Sequence, residues 1–268
     1  QGEAAAGRTG GQRGYADRLI GASAPHCNLS EGLFRRRPRG APVVPSMDAD
    51  TLIDQRVEQF ETVIKGRDFP CVGAKSALAT GNMEFVLARD LTSAWNDLKI
   101  HEALMHWAKR DLPPDQLRSL VVIFDGPLDL DEVRFEQAMW ERIQSLSDKD
   151  EWLSQKPDPT VSSNPAEPDF SLSFGGQAFF VVGLHPNASR PARRFPKPSL
   201  VFNLHKQFEW LRNSGVYERM RQRILDRDVS LAGDINPMLA RHGESSEARQ
   251  YSGRAVEEDW ACPFRGRT

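Results

Sequence analysis

Cysteine is scarce in this chain: Cys27, Cys71 and Cys262 are the full set among 268 residues. Three scattered thiols cannot build a disulfide framework, and they fit a reducing cytoplasm. Long apolar runs are missing too, and no stretch approaches the roughly 20 residues that cross a bilayer. Charge of one sign is lacking, because 35 Lys+Arg against 37 Asp+Glu leave a net charge of −2. That balance gives no general drive toward nucleic acid or membranes. The N-terminus lacks the basic-then-apolar plan of a secretory signal. Gly73 and Gly81 lack the spacing of a nucleotide-binding loop. No Gly-x-Ser-x-Gly elbow suggests a serine hydrolase, and there is no internal repeat.

Residues 1–46 lack lysine and any periodic apolar pattern, and glycine, alanine and arginine dominate them. Such composition cannot bury enough surface to offset chain entropy, so it reads as a disordered extension. Its arginine richness with few acids also resembles an organelle transit peptide. Met47 is the first methionine, and an amphipathic pattern opens directly after it. The expected domain therefore spans 47–268.

Within that domain, Asp50 or Thr51 caps a helix to about Lys65, with Leu52, Val57, Phe60 and Ile64 on one face. Glu84–Ala88 reads as a strand, followed by a helix capped at Thr92 or Ser93 and running to about Arg110. Ser119–Phe124 is β-branched and ends at Asp125-Gly126-Pro127; a helix from about Asp129 to Leu146 follows. The proline-rich stretch 156–168 reads as a surface loop. Two apolar runs, Phe170–Phe174 and Gln177–Leu184, flank Gly175-Gly176, a strong hairpin pattern. Ser199–Leu204 makes a third late strand, and a helical pattern broken near Gly215 covers 206–227. The tail from Gly233 to Arg254 is rich in turns, with a short helix around Glu247. Late-grouped strands with helices on either side predict a single α+β domain with a largely antiparallel sheet packed with helices.

Chemistry concentrates between Phe179 and Met220, where His185 and His205 stand near Arg190, Arg193 and Arg194 among aromatics and apolar strands. A neutral imidazole is a common metal ligand, and arginine forks grip carboxylates and phosphates at two points. His185 sits at a strand end between Gly183-Leu184 and Pro186. Such a position gives a ligand a fixed backbone, or lets a histidine satisfy a turn. His205 lies where a strand gives way to a helix and reads as an N-cap, a satisfied buried polar group, or a metal ligand. Arg249 and Arg254, beside Tyr251, form a second basic group. Cys71 and Cys262 each adjoin proline near an aromatic, surroundings that favour inert packing. His101 and His106 are five apart on one helix, a poor spacing for zinc, and His242-Gly243 reads as a turn.

The runs Gly183-Leu184-His185-Pro186, Ser189-Arg190, Ala192-Arg193-Arg194-Phe195 and Leu200–His205 resemble the YqcI/YcgG family. So do Gln207-Phe208-Glu209, Asn236-Pro237-Met238, Ser246–Arg254, Trp260–Phe264 and the earlier Phe69–Lys75. The resemblance spans roughly Asp50 to Phe264. It implies the branch of heme-dependent guanidine N-hydroxylases that includes the L-arginine hydroxylase of cycloserine biosynthesis. On that reading heme b is the cofactor, and L-arginine is converted to Nω-hydroxy-L-arginine. The oxidant is dioxygen with an external electron donor, or peroxide. His185 is then the leading axial ligand, with Cys71 and Cys262 behind the histidines. His205 serves as a catalytic pocket group, and Arg190, Arg193, Arg194, Arg249, Arg254 and Tyr251 hold the heme carboxylates. Glu84, Asp90, Asp97 and Glu209 are candidate acceptors for the guanidinium. The alternative is a heme-binding or heme-sensing protein without turnover.

Overall fold

Alternating apolar positions along five short strands give the protein a sheet that is buried on both faces. The structure, a computed structural model, describes residues 49–110, 113, 115–238 and 243–267. The expectations for residues 1–46, Cys27 and His242 lie outside the described residues. The strands are β1 (Met83–Asp90), β2 (Ser119–Gly126), β3 (Leu172–Phe174), β4 (Gln177–Leu184) and β5 (Ser199–Leu204). They run in the order β1-β2-β5-β4-β3. The β1–β2 pair is parallel, and the other three pairings are antiparallel. The parallel pair follows from the helical crossover between its strands.

The helices are α1 (Ala49–Lys65), α2 (Val72–Ala79), α3 (Asp97–Lys109), α4 (Glu132–Trp152), α5 (His205–Asn213), α6 (Tyr217–Ala232) and α7 (Ala248–Tyr251). Among the described residues they make, with the sheet, the expected α+β arrangement. One face carries Val86, Leu120, Val122, Phe179, Val181 and Phe202 against Leu104 and Trp107 of α3 and Phe135, Met139 and Ile143 of α4. The other carries Met83, Val121, Ile123 and Leu184 against Phe60 and Ile64 of α1 and Ala77 of α2. The period-2 alternation of each strand assigns its side chains to these two layers.

Local chemistry explains the joints. In the β3–β4 hairpin Gly175 and Gly176 both have positive φ, 57° and 76°, as a two-residue primed turn requires. α4 starts at Glu132, later than expected from the apolar pattern, because the Asp131 side chain caps it by accepting from Arg134 N. It runs on to Trp152, where buried Asp150 accepts from Arg267 and Gly175 N. α2 is an element the apolar pattern does not announce; Cys71 caps it, its Sγ accepting from Ala74 N at 3.4 Å. No helix among the described residues is long and apolar enough to cross a membrane.

Candidate functional site

α1 and α2 leave part of their face of the sheet uncovered, near β4, β5 and the start of β2. α6 roofs this gap with Met220, Ile224 and Asp228, and the result is a cavity of about 300 Å³. Its walls are largely apolar, including Ile64, Phe69, Leu117, Val182, Val201 and Phe208. A neighbouring cavity of about 220 Å³ shares Phe180, Phe208, Met220, Ile224 and Gln250 with it, and adds His205, Arg212, Arg221 and Glu247. Each falls within or near the size range of small-ligand sites, about 300–1,000 Å³.

His205 is the first residue of α5 and is buried. Its Nε2 lies 3.3 Å from Glu247 Oε1, and its Nδ1 lies 3.6 Å from Glu209 Oε1. Glu247 is itself buried, and its Oε2 is 3.4 Å from the Tyr251 hydroxyl. Tyr251 is wholly enclosed between Trp140, Phe170 and Phe180. Burial first, then the Glu247 charge, push its phenol well above the ordinary range. It braces Glu247 from the core side and does not line either cavity.

His185 is placed differently. Along β4, Phe179, Val181 and Gly183 face α4, and His185 continues that series. Its ring stacks on Phe135 at 4.1 Å between centroids and 17° between planes. Its backbone N–H donates to Arg193 O, and its carbonyl accepts from Phe195 N. Burial drives its pKa down to about 4, with Glu132 and Asp131 opposing weakly, and Nδ1 has no hydrogen-bond partner among the described residues. His185 lines neither of these two cavities.

The arginines separate into two groups. Arg190 and Arg193 line the larger cavity. Arg190 donates through Nε and Nη2 to Asp228 Oδ2 at 3.1 and 2.7 Å, and through Nη1 to Asp234 at 2.7 Å. Burial alone would lower its pKa, but these two acids raise it. Arg193 donates to three main-chain carbonyls: Gly183 O, Tyr251 O and Gln250 O, at 3.0, 3.2 and 2.9 Å. Burial brings its pKa down to about 10, with Asp228 and Cys71 pulling the other way.

The remaining three bind the fold instead of facing a cavity. Arg194 is exposed and staples its own turn through Ala188 O and Ser189 O. Arg249 holds the carbonyls of the C-terminal segment and lies over Trp260. Arg254 pairs with Glu136 on α4.

Cys71 lines the larger cavity, and Cys262 packs beside the main core. Burial raises both thiols, Cys262 to about 12, so both are neutral thiols at neutral pH. His101 is buried against Asp150 at 3.0 Å, whereas His106 is exposed. Burial would raise the Asp150 pKa, but its bonds from His101 and Arg267 hold it below the usual range.

Of the candidate carboxylates, Glu84 pairs with Arg110, Asp90 caps a turn at Thr92, and Asp97 is buried with Arg142. None of these lines either of the two cavities, and Glu209 lies 3.6 Å from His205 Nδ1. The acids that do line the cavities, Asp228 and Glu247, are not among the sequence candidates. A sign existed for Asp228. Met220, Ile224 and Asp228 stand four apart, so a carboxylate lies on the apolar stripe of α6. Glu247 falls within the Ser246–Arg254 run but gives no local hint of its partner.

Comparison with known proteins places this arrangement in context. The model described as the YqcI/YcgG family matches residues 60–265. An uncharacterized protein, YcgG, of Bacillus subtilis (strain 168) is 26% identical over 208 residues, covering 73% of this chain and 80% of that protein. No solved structure matches.

Proposed function

Because the chain belongs to the YqcI/YcgG family, and a buried histidine stands in the wall of an apolar cavity edged by arginines, we propose that it is a heme-dependent monooxygenase acting on a guanidine nitrogen. Free L-arginine is the substrate, and Nω-hydroxy-L-arginine the product. The observation that carries this reading is His205, held in the cavity wall by the buried carboxylate of Glu247. A carboxylate on one ring nitrogen orients an imidazole and increases its basicity toward a metal on the other.

The residues present fit heme b in donor chemistry. His205 would hold the iron, and Arg212 and Arg221, on the same cavity, would meet the carboxylates. Phe180, Phe208, Met220 and Ile224 would enclose the apolar ring. Heme supplies oxygen activation, fed by dioxygen with an external electron donor or by peroxide. The chain's own task is positioning. Glu247 keeps the His205 ring in one orientation, Tyr251 keeps Glu247 in place, and the α6 roof excludes water. His185 keeps a structural role under Phe135. This shifts the iron ligand from the histidine that the sequence resemblance favours to the one lining a cavity.

The test is spectroscopic and then chemical. Protein supplied with heme should show a Soret band and a pyridine hemochrome of heme b. His205→Ala should lose that band in folded protein, while His185→Ala should keep it. With an oxidant, L-arginine should gain one oxygen on its guanidine group, read by mass spectrometry. Protein that stays colourless with added hemin refutes the proposal. Heme binding without any oxidised guanidine would leave a heme-binding or heme-sensing protein.

A further inference from the structure

The corner of the larger cavity at Arg190, Arg193 and Asp228 is over-equipped for structure alone. Asp228 is the one buried residue of α6. Both of its bonds from Arg190 fall on Oδ2, and Oδ1 has no hydrogen-bond partner among the described residues. That oxygen is therefore open to a donor entering the cavity that Asp228 lines.

Arg193 presents the complementary case. Its three bonds all go to uncharged carbonyls, so no carboxylate neutralises it at hydrogen-bond distance. Three of the five N–H groups of a guanidinium are used, which leaves donors for a ligand. The side chain is rigid, because it bridges β4 and α7 and packs on Gly253, where a Cβ would lie 3.1 Å from Arg193 Cγ. Here a fixed cation and an open carboxylate oxygen belong to the same cavity wall.

We propose that this corner binds the head group of a zwitterionic α-amino acid, with the ammonium on Asp228 Oδ1 and the carboxylate on Arg193. Arg190, saturated by Asp228 and Asp234, is the positioning residue that fixes Asp228. A dianionic phosphate does not suit the site, since Asp228 would face it with like charge. The proposal rests on the guanidine reading above and sharpens it: the side chain of a bound amino acid can extend past Phe180 and Phe208, which both cavities share, toward His205. The corner selects free L-arginine over guanidines that lack either charge of the head group.

Calorimetric titration of the full chain with three guanidines tests this. Agmatine lacks the carboxylate and 5-guanidinopentanoate lacks the ammonium, so each should bind at least about tenfold more weakly than L-arginine, the loss expected for one charge-assisted bond. Asp228→Asn should weaken L-arginine by a similar factor while leaving 5-guanidinopentanoate unchanged. Glu141→Gln, exposed on α4 and outside both cavities, should leave L-arginine affinity intact. If Asp228→Asn fails to fold, the ligand series on the unmodified chain still decides. Agmatine or 5-guanidinopentanoate binding as tightly as L-arginine overturns the proposal, as does wild-type affinity in folded Asp228→Asn, or no L-arginine binding at all. The two readings fail separately. The predicted ligand preference without heme or hydroxylation would refute the monooxygenase and keep the head-group site; hydroxylation without that preference would do the reverse.

Discussion

Gly183→Ala puts a methyl group where the structure leaves no room. The new Cβ would lie 2.8 Å from Phe135 Cε1 and 3.1 Å from both Phe135 Cζ and Met139 Sδ. Met139 can yield, because a thioether chain is pliable. Phe135 cannot retreat easily, since it is fully buried and its ring backs onto His185 at 4.1 Å. Overpacking of this kind costs about 1–3 kcal/mol, while alanine's smaller unfolded-state entropy returns about 0.4–1 kcal/mol. The clash wins, and the net loss should be about 1–2 kcal/mol. At about 2–4 °C per kcal/mol for a domain of this size, the melting temperature should fall by roughly 2–8 °C. Urea titration followed by circular dichroism gives the free energy directly. Phe135→Leu in the same background should reduce the cost of the alanine, because it removes the ring edge that is struck. A neutral Gly183→Ala, or a cost unchanged by Phe135→Leu, would refute the close-approach argument.

Two further outcomes follow from buried charge. His185 titrates at about 4 in the folded protein against 6.5 ordinarily, so the unfolded chain takes up its proton first as pH falls. The stability it contributes is complete above pH 6.5 and is lost on going down toward pH 4, by about 3 kcal/mol. His185→Phe, which keeps an aromatic on Phe135, should flatten the urea midpoint across that window; an unchanged slope would sink this assignment. Asp97→Asn leaves Arg142, 8% exposed at the side chain, without the acid it meets at 2.7 Å. It should cost about 3–5 kcal/mol, and a loss under about 1 kcal/mol by urea titration would show that Lys149 or water already screens the pair.

Much of the α+β plan was legible because the signals were local. The Gly175-Gly176 hairpin and the strands at Ser119 and Ser199 announce themselves by period and turn chemistry. α2 escaped because VGAKSALA is short and its alanines and glycine mark no apolar face until β2 and α1 close around it. The parallel pairing of β1 with β2 is a tertiary outcome that neither strand encodes alone. The same holds for the site. His205 and the arginines of 190–194 stand out by residue type, yet their direction depends on strand parity and on what packs opposite. Gly183, two residues before His185, was in fact a clue to that side chain's face, since a glycine there admits the Phe135 ring. Asp228 and Glu247 matter through partners 38 and 42 residues away, a relation that no local pattern carries.

The α6 roof has a consequence for access to the cavities beneath it. Apart from Asp228 no residue of α6 is buried, and the two hydrophobic clusters are complete without it. Swinging this helix aside therefore sacrifices an ion pair and a few partial contacts but none of the core. The empty chain can then stand as a finished fold, with exchange of its amide protons fastest along 217–232 and slow in β2 and β5. If the heme proposal holds, pigment content on purification would record cofactor supply in the producing cell, and a pale preparation should take up added hemin without refolding.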